Sequence, residues 1–148
     1  MLTCSGRPEA AACVKGSPEF PCLSGEVRFY QKPQGVLITA RVTGLPRENE
    51  SGFFALHIHE GTDCSGAGFA GTKGHYNPAG AAHPGHAGDL PPLLSCHGQA
   101  FLAVLTDRFR VRDIIGRTVV IHSGPDDFHS QPAGNAGTKI GCGVIRPR

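Results

Sequence analysis

The stretch His75-Tyr-Asn-Pro-Ala-Gly-Ala-Ala-His83-Pro-Gly-His86-Ala-Gly-Asp89 places three imidazoles and one carboxylate in a short segment. The residues between them are mainly Gly, Pro, Ala and Asn, which predict an irregular loop without a hydrophobic core of its own. Three His and one Asp form the donor set of a closed tetrahedral zinc site, so we expect a structural metal here. A polar loop that contains histidines by chance is the less favoured interpretation.

Histidines also fall on two predicted strands. In Phe53-Phe-Ala-Leu-His57-Ile-His59-Glu60, alternation along a strand puts His57 and His59 on one face, where two imidazoles can share one ion. The β-branched run Arg117-Thr-Val-Val-Ile-His122 ends in a further histidine. The strands and the loop together supply an ordered set of candidate metal ligands.

With Gly134-Asn-Ala-Gly-Thr-Lys-Ile-Gly-Cys142 near its end, the chain resembles the copper/zinc superoxide dismutase family from about residue 25 to residue 145. Several separate motifs occur in the family's order, which is a more specific signal than any single motif. The resemblance implies the copper ligands His57, His59, His75 and His122, and the zinc ligands His75, His83, His86 and Asp89. His75 would then be shared as an imidazolate with one ring nitrogen facing each metal.

The resemblance also implies the activity, which is disproportionation of superoxide to oxygen and hydrogen peroxide. A copper centre that cycles between Cu(II) and Cu(I) would carry the electron, and imidazole ligands suit both states. The catalytic part of His75 would be to release copper and return to it as the metal is reduced and reoxidised, delivering a proton to the product. The zinc bridged by His75 would be structural.

Other residues acquire expected roles from the same resemblance. Asp126 stands where the family has an aspartate that links a copper histidine to a zinc histidine, although a loop-tip acid is the alternative. Lys139 replaces an arginine that guides the superoxide anion. Lysine keeps the charge but loses the planar fork, so we expect activity to be retained but lowered. Cys64 and Cys142 match the family's disulfide, which would tie the metal-bearing loop to the last strand.

The 148 residues suffice for one domain, which we expect over 1–148 with an irregular arm at 1–10. Strands are predicted at 11–15, 25–31, 36–43, 52–59, 99–106, 116–122 and 141–146, with a poor edge strand at 90–95 because of Pro91 and Pro92. This pattern predicts an all-β fold, a Greek-key sandwich or flattened eight-stranded barrel. Long loops over 60–89 and 123–137 are expected to carry function, and 111–115 is expected to be a connection.

Composition limits the partners and the location. The net charge of +2 with neutral histidines indicates no nucleic-acid or lipid-binding surface, and no apolar run approaches the ~20 residues of a membrane span. The start of the chain contains no visible signal-peptide core, whereas six cysteines favour an oxidising compartment. Localisation therefore stays open, with a secreted, periplasmic or cell-envelope site slightly favoured. The oligomeric state is open between monomer and homodimer.

Several features depart from the family or lie outside its pattern. Only Pro84 and Gly85 separate His83 from His86, and the loop after His122 lacks most charged residues, so steering of the substrate by that loop should be weak. Four further cysteines allow three pairings or free thiols: Cys4, Cys13, Cys22 and Cys96. Of these, Cys13 and Cys22 flank a turn and are able to meet. His97 and His129 are expected to be surface residues.

Two other classes of function remain beside the enzyme. One is a non-catalytic copper/zinc-binding or metal-delivery module, because a fold does not dictate an activity. The other is a purely structural protein that binds zinc alone. The complete set of copper-ligand positions favours the enzyme, and copper occupancy together with turnover would separate the three.

Overall fold

The computed structural model describes residues 6–148, so Cys4 and half of the expected N-terminal arm lie outside the described residues. The described part of the chain forms nine strands, one short α-helix and a 3₁₀ segment (Ala67–Thr72). The strands are β1 (Ala10–Gly16), β2 (Ser24–Lys32), β3 (Gly35–Thr43), β4 (Phe53–Phe54), β5 (Leu56–His59), β6 (Leu93–Leu94), β7 (Ala100–Thr106), β8 (Thr118–His122) and β9 (Lys139–Pro147). The helix is α1 (Val111–Ile114).

Seven of these strands form one curled antiparallel sheet in the order β5-β8-β9-β1-β2-β3-β7, and β4 pairs with β6 separately. β5 lies beside β8, β9 beside β1 and β3 beside β7, so the chain crosses between strands that are distant in sequence, as a Greek key requires. The expectation of an all-β, antiparallel fold is confirmed. Apolar residues of alternating positions fill the concave side, including Phe29, Ile38, Ile58 and Ile121, each with no exposed surface.

Three predicted elements differ in detail. The strand at 52–59 is interrupted at Ala55, whose amide donates to Gly124 O in the second long loop and whose carbonyl accepts from His122 N at the end of β8. The weak strand at 90–95 is reduced to Leu93–Leu94, because Pro91 and Pro92 cannot donate to a ladder. The connection at 111–115 contains one turn of helix, α1, capped by the Asp113 carboxylate, which accepts from Arg110 N.

A disulfide joins Cys64 in the first long loop to Cys142 in β9, with 5.8 Å between the Cα atoms. Cys13, Cys22 and Cys96 are exposed and form no disulfide with any described residue. The pairing of Cys13 with Cys22 that the sequence allowed is therefore not formed. None of the described helices is long and apolar enough to cross a membrane.

Candidate metal centre

Strands β5 and β8 bring the first group of histidines together: His57, His59, His75 and His122. In this group one ring nitrogen of each residue lies within 4.8 Å of those of the others, and all four side chains are buried. Antiparallel pairing of β5 with β8 sets the spacing, with His57 opposite Val120. The apolar neighbour Ile58 points into the core, as strand alternation predicts.

Hydrogen bonds fix which ring nitrogen of each histidine faces inward. His59 Nδ1 donates to Lys73 O at 2.9 Å, and His122 Nδ1 lies 3.5 Å from Gly137 O. The Nε2 atoms of these two rings then face each other at 3.2 Å. His57 uses its Nε2 to bond a carboxylate, so its Nδ1 is the atom left free. Each imidazole thus presents one nitrogen to the same point.

The second group lies in the first long loop: His75, His83, His86 and Asp89. His75 Nδ1 is 2.8 Å from Asp89 Oδ1 and 3.2 Å from His86 Nδ1. The Nδ1 atoms of His83 and His86 lie 3.0 and 3.3 Å from Asp89 Oδ2. Four donors of the types that zinc prefers therefore converge, which is the number that a closed tetrahedral site needs.

Main-chain bonds to the free edge of β5 hold the two ends of this loop segment. Ile58 N donates to Gly88 O at 2.9 Å, and Tyr76 N donates to Ile58 O at 2.8 Å. Through these bonds His75 lies beside His59, and Asp89 lies beside His57. The sheet edge therefore places His75 between the two groups, and it is a member of both.

A buried carboxylate connects the groups from behind. Asp126 Oδ2 accepts from His57 Nε2 and Asp126 Oδ1 accepts from His83 Nε2, both at 2.8 Å. Gly134 covers this carboxylate with a φ of +70°, and a Cβ at this position would overlap Asp126 and crowd His83. A carboxylate that accepts from a ligand histidine fixes its tautomer and orientation.

Burial keeps three imidazoles of the first group neutral. Burial and neighbouring imidazoles lower the pKa of His57 and of His59 to about 2, and that of His122 to about 4. Burial alone would raise the pKa of Asp89, but the hydrogen bond from His75 and the nearby imidazoles outweigh it and lower the pKa. Neutral imidazoles and an ionised carboxylate are the forms that bind metal ions.

Among residues 6–148, three buried nitrogens make no hydrogen bond: His57 Nδ1, His75 Nε2 and His83 Nδ1, the last of which lies 3.0 Å from Asp89 Oδ2 without hydrogen-bond geometry. The first two point into the first group and the third into the second group. Buried polar atoms without partners are rare in folded proteins and need an explanation. Metal ions at the two centres would provide one, because the orphaned atoms are the ones that the tautomers leave available. The buried groups suit copper and zinc.

Lys139, the first residue of β9, lies at the rim of the first group. Its Nζ donates to Thr72 Oγ1 at 2.7 Å and to Lys73 O at 3.0 Å. Partial burial lowers its pKa, and its charge contributes to the lowered pKa values of His59 and His122. Lys73 O accepts from both Lys139 and His59, so the ammonium and the imidazole share one anchor.

Two side chains that the sequence did not single out contact the second group's main chain. Arg108 donates to carbonyls of residues 84, 86 and 89, and Gln131 bonds the main chain of His83. Neither belongs to a motif. Arg108 lies between β7 and α1 and Gln131 lies between β8 and β9, whereas the second group lies between β5 and β6. The expected surface residues His97 and His129 are exposed, and His129 lies beside Asp127.

Comparison with known proteins gives the same family that the sequence motifs resemble. The model of the copper/zinc superoxide dismutase family matches residues 23–145. Superoxide dismutase [Cu-Zn] 2 from Aquifex aeolicus is 39% identical over 137 residues, covering 82% of this chain and 78% of its own length. The chain belongs to the copper/zinc superoxide dismutase family. The prediction of an enzyme of this type is confirmed by these relatives.

Two further similarities concern the fold and the range of proteins that are related to this chain. The Cu/Zn superoxide dismutase from Brucella abortus shares the fold with a TM-score of 0.73 at 23% identity, covering 92% of this chain and 99% of that one. A human relative, named copper chaperone for superoxide dismutase, is 33% identical over 154 residues, covering 92% of this chain and 52% of its own length. One relative of this chain is therefore named as a copper chaperone and not as a superoxide dismutase.

Proposed function

We propose that the protein catalyses the disproportionation of superoxide, in which two superoxide anions and two protons give oxygen and hydrogen peroxide. We assign copper to the first group and a structural zinc to the second, with His75 shared. A copper ion held there supplies reversible one-electron exchange between Cu(II) and Cu(I). The observation that carries this proposal is the pair of orphaned, buried nitrogens His57 Nδ1 and His75 Nε2, aimed into one four-imidazole group.

The chain's own residues orient the ligands. Asp126 holds Nε2 of His57, and Lys73 O holds Nδ1 of His59, so each ring has one nitrogen engaged by the protein and one available. Because Asp126 is buried, water does not compete for Nε2 of His57. The arrangement supports a rigid set of imidazoles that changes little as the charge of the centre changes.

His75 is suited to hold a proton. Its Nδ1 is engaged by Asp89, and its Nε2 has no protein partner. A proton on Nε2 would face the space among the imidazoles of the first group. We infer that His75 Nε2 takes up and releases one of the two protons in each cycle.

Lys139 is suited to attract and orient the anion. An ammonium carries three N–H donors, and two of them are directed at Thr72 Oγ1 and Lys73 O. One donor remains for a superoxide oxygen. A lysine provides a single point of charge without the fork of an arginine, which is why we expect a weaker anion-guiding effect.

The location we propose is an oxidising compartment, such as a periplasm, cell envelope or extracellular space. The Cys64–Cys142 disulfide supports this proposal, because structural disulfides persist where thiols are not kept reduced. The partners are a small anion and two metals.

A second candidate is metal delivery, which the human chaperone relative brings into consideration. A delivery module must release copper to an acceptor, whereas an enzyme must retain it through many cycles. The shared burial of all four imidazoles in the first group favours retention.

The test is superoxide decay in the presence of protein loaded with one copper and one zinc per chain. We expect rapid decay that is lost when copper alone is removed and restored when it is returned. Loaded protein that leaves superoxide decay at the uncatalysed rate would contradict the activity. Rapid transfer of copper to a second protein under those conditions would favour delivery.

A further inference from the structure

The zinc-side turn, residues 83–89, has few main-chain bonds of its own. Gly85 N donates to Ala82 O at 2.7 Å, and Asp89 N donates to His86 O at a longer 3.2 Å. His86 N donates to Asp89 Oδ2 at 2.9 Å, and Gly88 is the residue of the turn whose main chain bonds to Tyr76 and Ile58. Pro84 has no amide hydrogen, and the turn contains no large apolar side chain that could anchor it. Three of the four members of the second group lie in this turn, so its shape sets the donor geometry.

Arg108 contacts the turn from the connection that follows β7. Its Nη1 donates to the carbonyl oxygens of Pro84 at 3.1 Å, His86 at 3.0 Å and Asp89 at 3.3 Å. This nitrogen carries two hydrogens, so the three contacts share them. The acceptors lie on both sides of His86, and the guanidinium therefore holds the curvature of the turn. The neighbouring Phe109 is buried in the core and anchors the segment that carries Arg108.

Gln131 contacts the other end of the turn from the second long loop. Its Nε2 donates to His83 O at 2.7 Å, and its Oε1 accepts from His83 N at 2.9 Å. The side-chain amide thus satisfies both main-chain groups of one ligand residue, as a neighbouring strand would. Between them, Arg108 and Gln131 bond the turn's main chain at both ends.

We propose that Arg108 and Gln131 are positioning residues of the second metal group, which hold residues 83–89 in the ligand geometry. This inference rests on the proposed zinc role of His83, His86 and Asp89. Neither side chain touches a donor atom, and both act through main-chain atoms of the ligand residues. A turn with so little internal bonding would otherwise populate many conformations, and zinc would have to select one of them.

The test is the affinity of the intact protein for Zn²⁺, measured by competition with a chromophoric chelator. Arg108→Ala and Gln131→Ala should each weaken zinc binding by roughly tenfold, in the range seen for groups that support metal ligands. The matched controls Arg112→Ala and Gln34→Ala alter exposed residues away from the turn, and should stay within about twofold of wild type. Copper affinity of the first group should change by no more than about twofold in all four variants.

Co²⁺ in place of Zn²⁺ gives a second measurement, because its visible absorption depends on the coordination geometry. Arg108→Ala should change the bands, and Arg108→Lys should restore them in part, since an ammonium can still donate to carbonyls. Arg108→Lys also carries the test if Arg108→Ala does not fold.

Zinc affinity and cobalt bands like those of the controls would overturn the positioning role. Equal weakening of both metals would overturn it too, since that indicates a general loss of structure. Wild-type protein that binds both metals but leaves superoxide untouched would contradict the proposed activity, while the ranking of zinc affinities would still decide the positioning role.

Discussion

The two metal groups share His75 but are built in different ways. In the first group, three of the four members lie on β5 and β8, where ladder bonds and core residues such as Ile58 and Ile121 fix the backbone. In the second group, every member lies in a loop between strands. Its ends bond to β5, and its middle depends on Asp126, Arg108 and Gln131. A sheet can therefore position ligands by itself, whereas a loop needs side chains from other segments of the chain.

The largest effect on stability is expected from the Cys64–Cys142 disulfide, which ties the first long loop to β9. Replacing both Cys64 and Cys142 by Ser opens a closed segment with a sequence separation of 78 residues. In the chain-entropy model this should lower the free energy of unfolding by about 4–5 kcal/mol. Urea unfolding of the metal-free protein measures it, with Cys96→Ser, at an exposed free thiol, as the control. Equal stability of the double variant and the control would contradict the expectation.

Replacing the shared histidine should affect both metal groups, whereas replacing an unshared histidine should affect only one. His75→Ala removes a donor from both groups, so superoxide turnover should fall by more than about 100-fold and both metals should bind more weakly. His86→Ala removes a donor from the second group alone and should leave copper bound. Metal content and superoxide decay measured together check this. His97→Ala, at an exposed residue, serves as the control. If His86→Ala lost as much copper as His75→Ala, the two groups would not be separable.

Asp126 contacts one ligand from each group, and its removal should affect them unequally. Asp126→Ala should weaken zinc binding by roughly 10- to 100-fold. Copper binding should weaken less, because His57 remains held in β5 while His83 loses a contact in a loop. Separate titrations of the two metals test this, with the exposed Asp107→Ala as the control. A larger loss for copper than for zinc would reverse the comparison.

The smallest effect is expected at the rim of the first group. Lys139→Arg should raise turnover by about two- to fivefold by restoring a planar fork of donors. Lys139→Gln should lower it by about tenfold through the loss of attraction for the anion. Rates measured against ionic strength check the cause, because added salt should narrow the difference between the wild type and the Lys139→Gln variant. A Lys139→Arg variant that turns over superoxide no faster than the wild type would contradict the expectation that lysine at this position lowers the activity.

The sequence predicted the strand-borne features well because they depend on local patterns. Alternation placed His57 and His59 on one face, and β-branched residues marked the strand that ends at His122. Pro91 and Pro92 correctly limited the strand near residue 93, because each lacks an amide donor. The break at Ala55 was not predictable, since it follows from bonds to residues 122 and 124, far along the chain.

The four donors of the first long loop were predicted from their residue types, whereas the residues that support the two groups depended on the family resemblance or were missed. Asp126 and Lys139 were singled out through family motifs, and their contacts with His83 and Thr72 could not be read from the residues alone. Arg108 and Gln131 belong to no motif, and an arginine or glutamine in a loop is most often a solvated residue. Only the folded chain brings them to the main chain of residues 83–89.

We expect the sheet to form the first group before any metal binds, whereas the second group is completed by zinc and by its supporting side chains. Amide hydrogen exchange of the metal-free protein, with and without added Zn²⁺, measures this difference between the two groups. We predict that the amides of Val120 and Ile121 in β8 are protected in both samples. The amides of His83 and Gly85 should exchange quickly until zinc is added. Rapid exchange in β8 of the metal-free protein, or full protection of residues 83–89 without zinc, would contradict the claim.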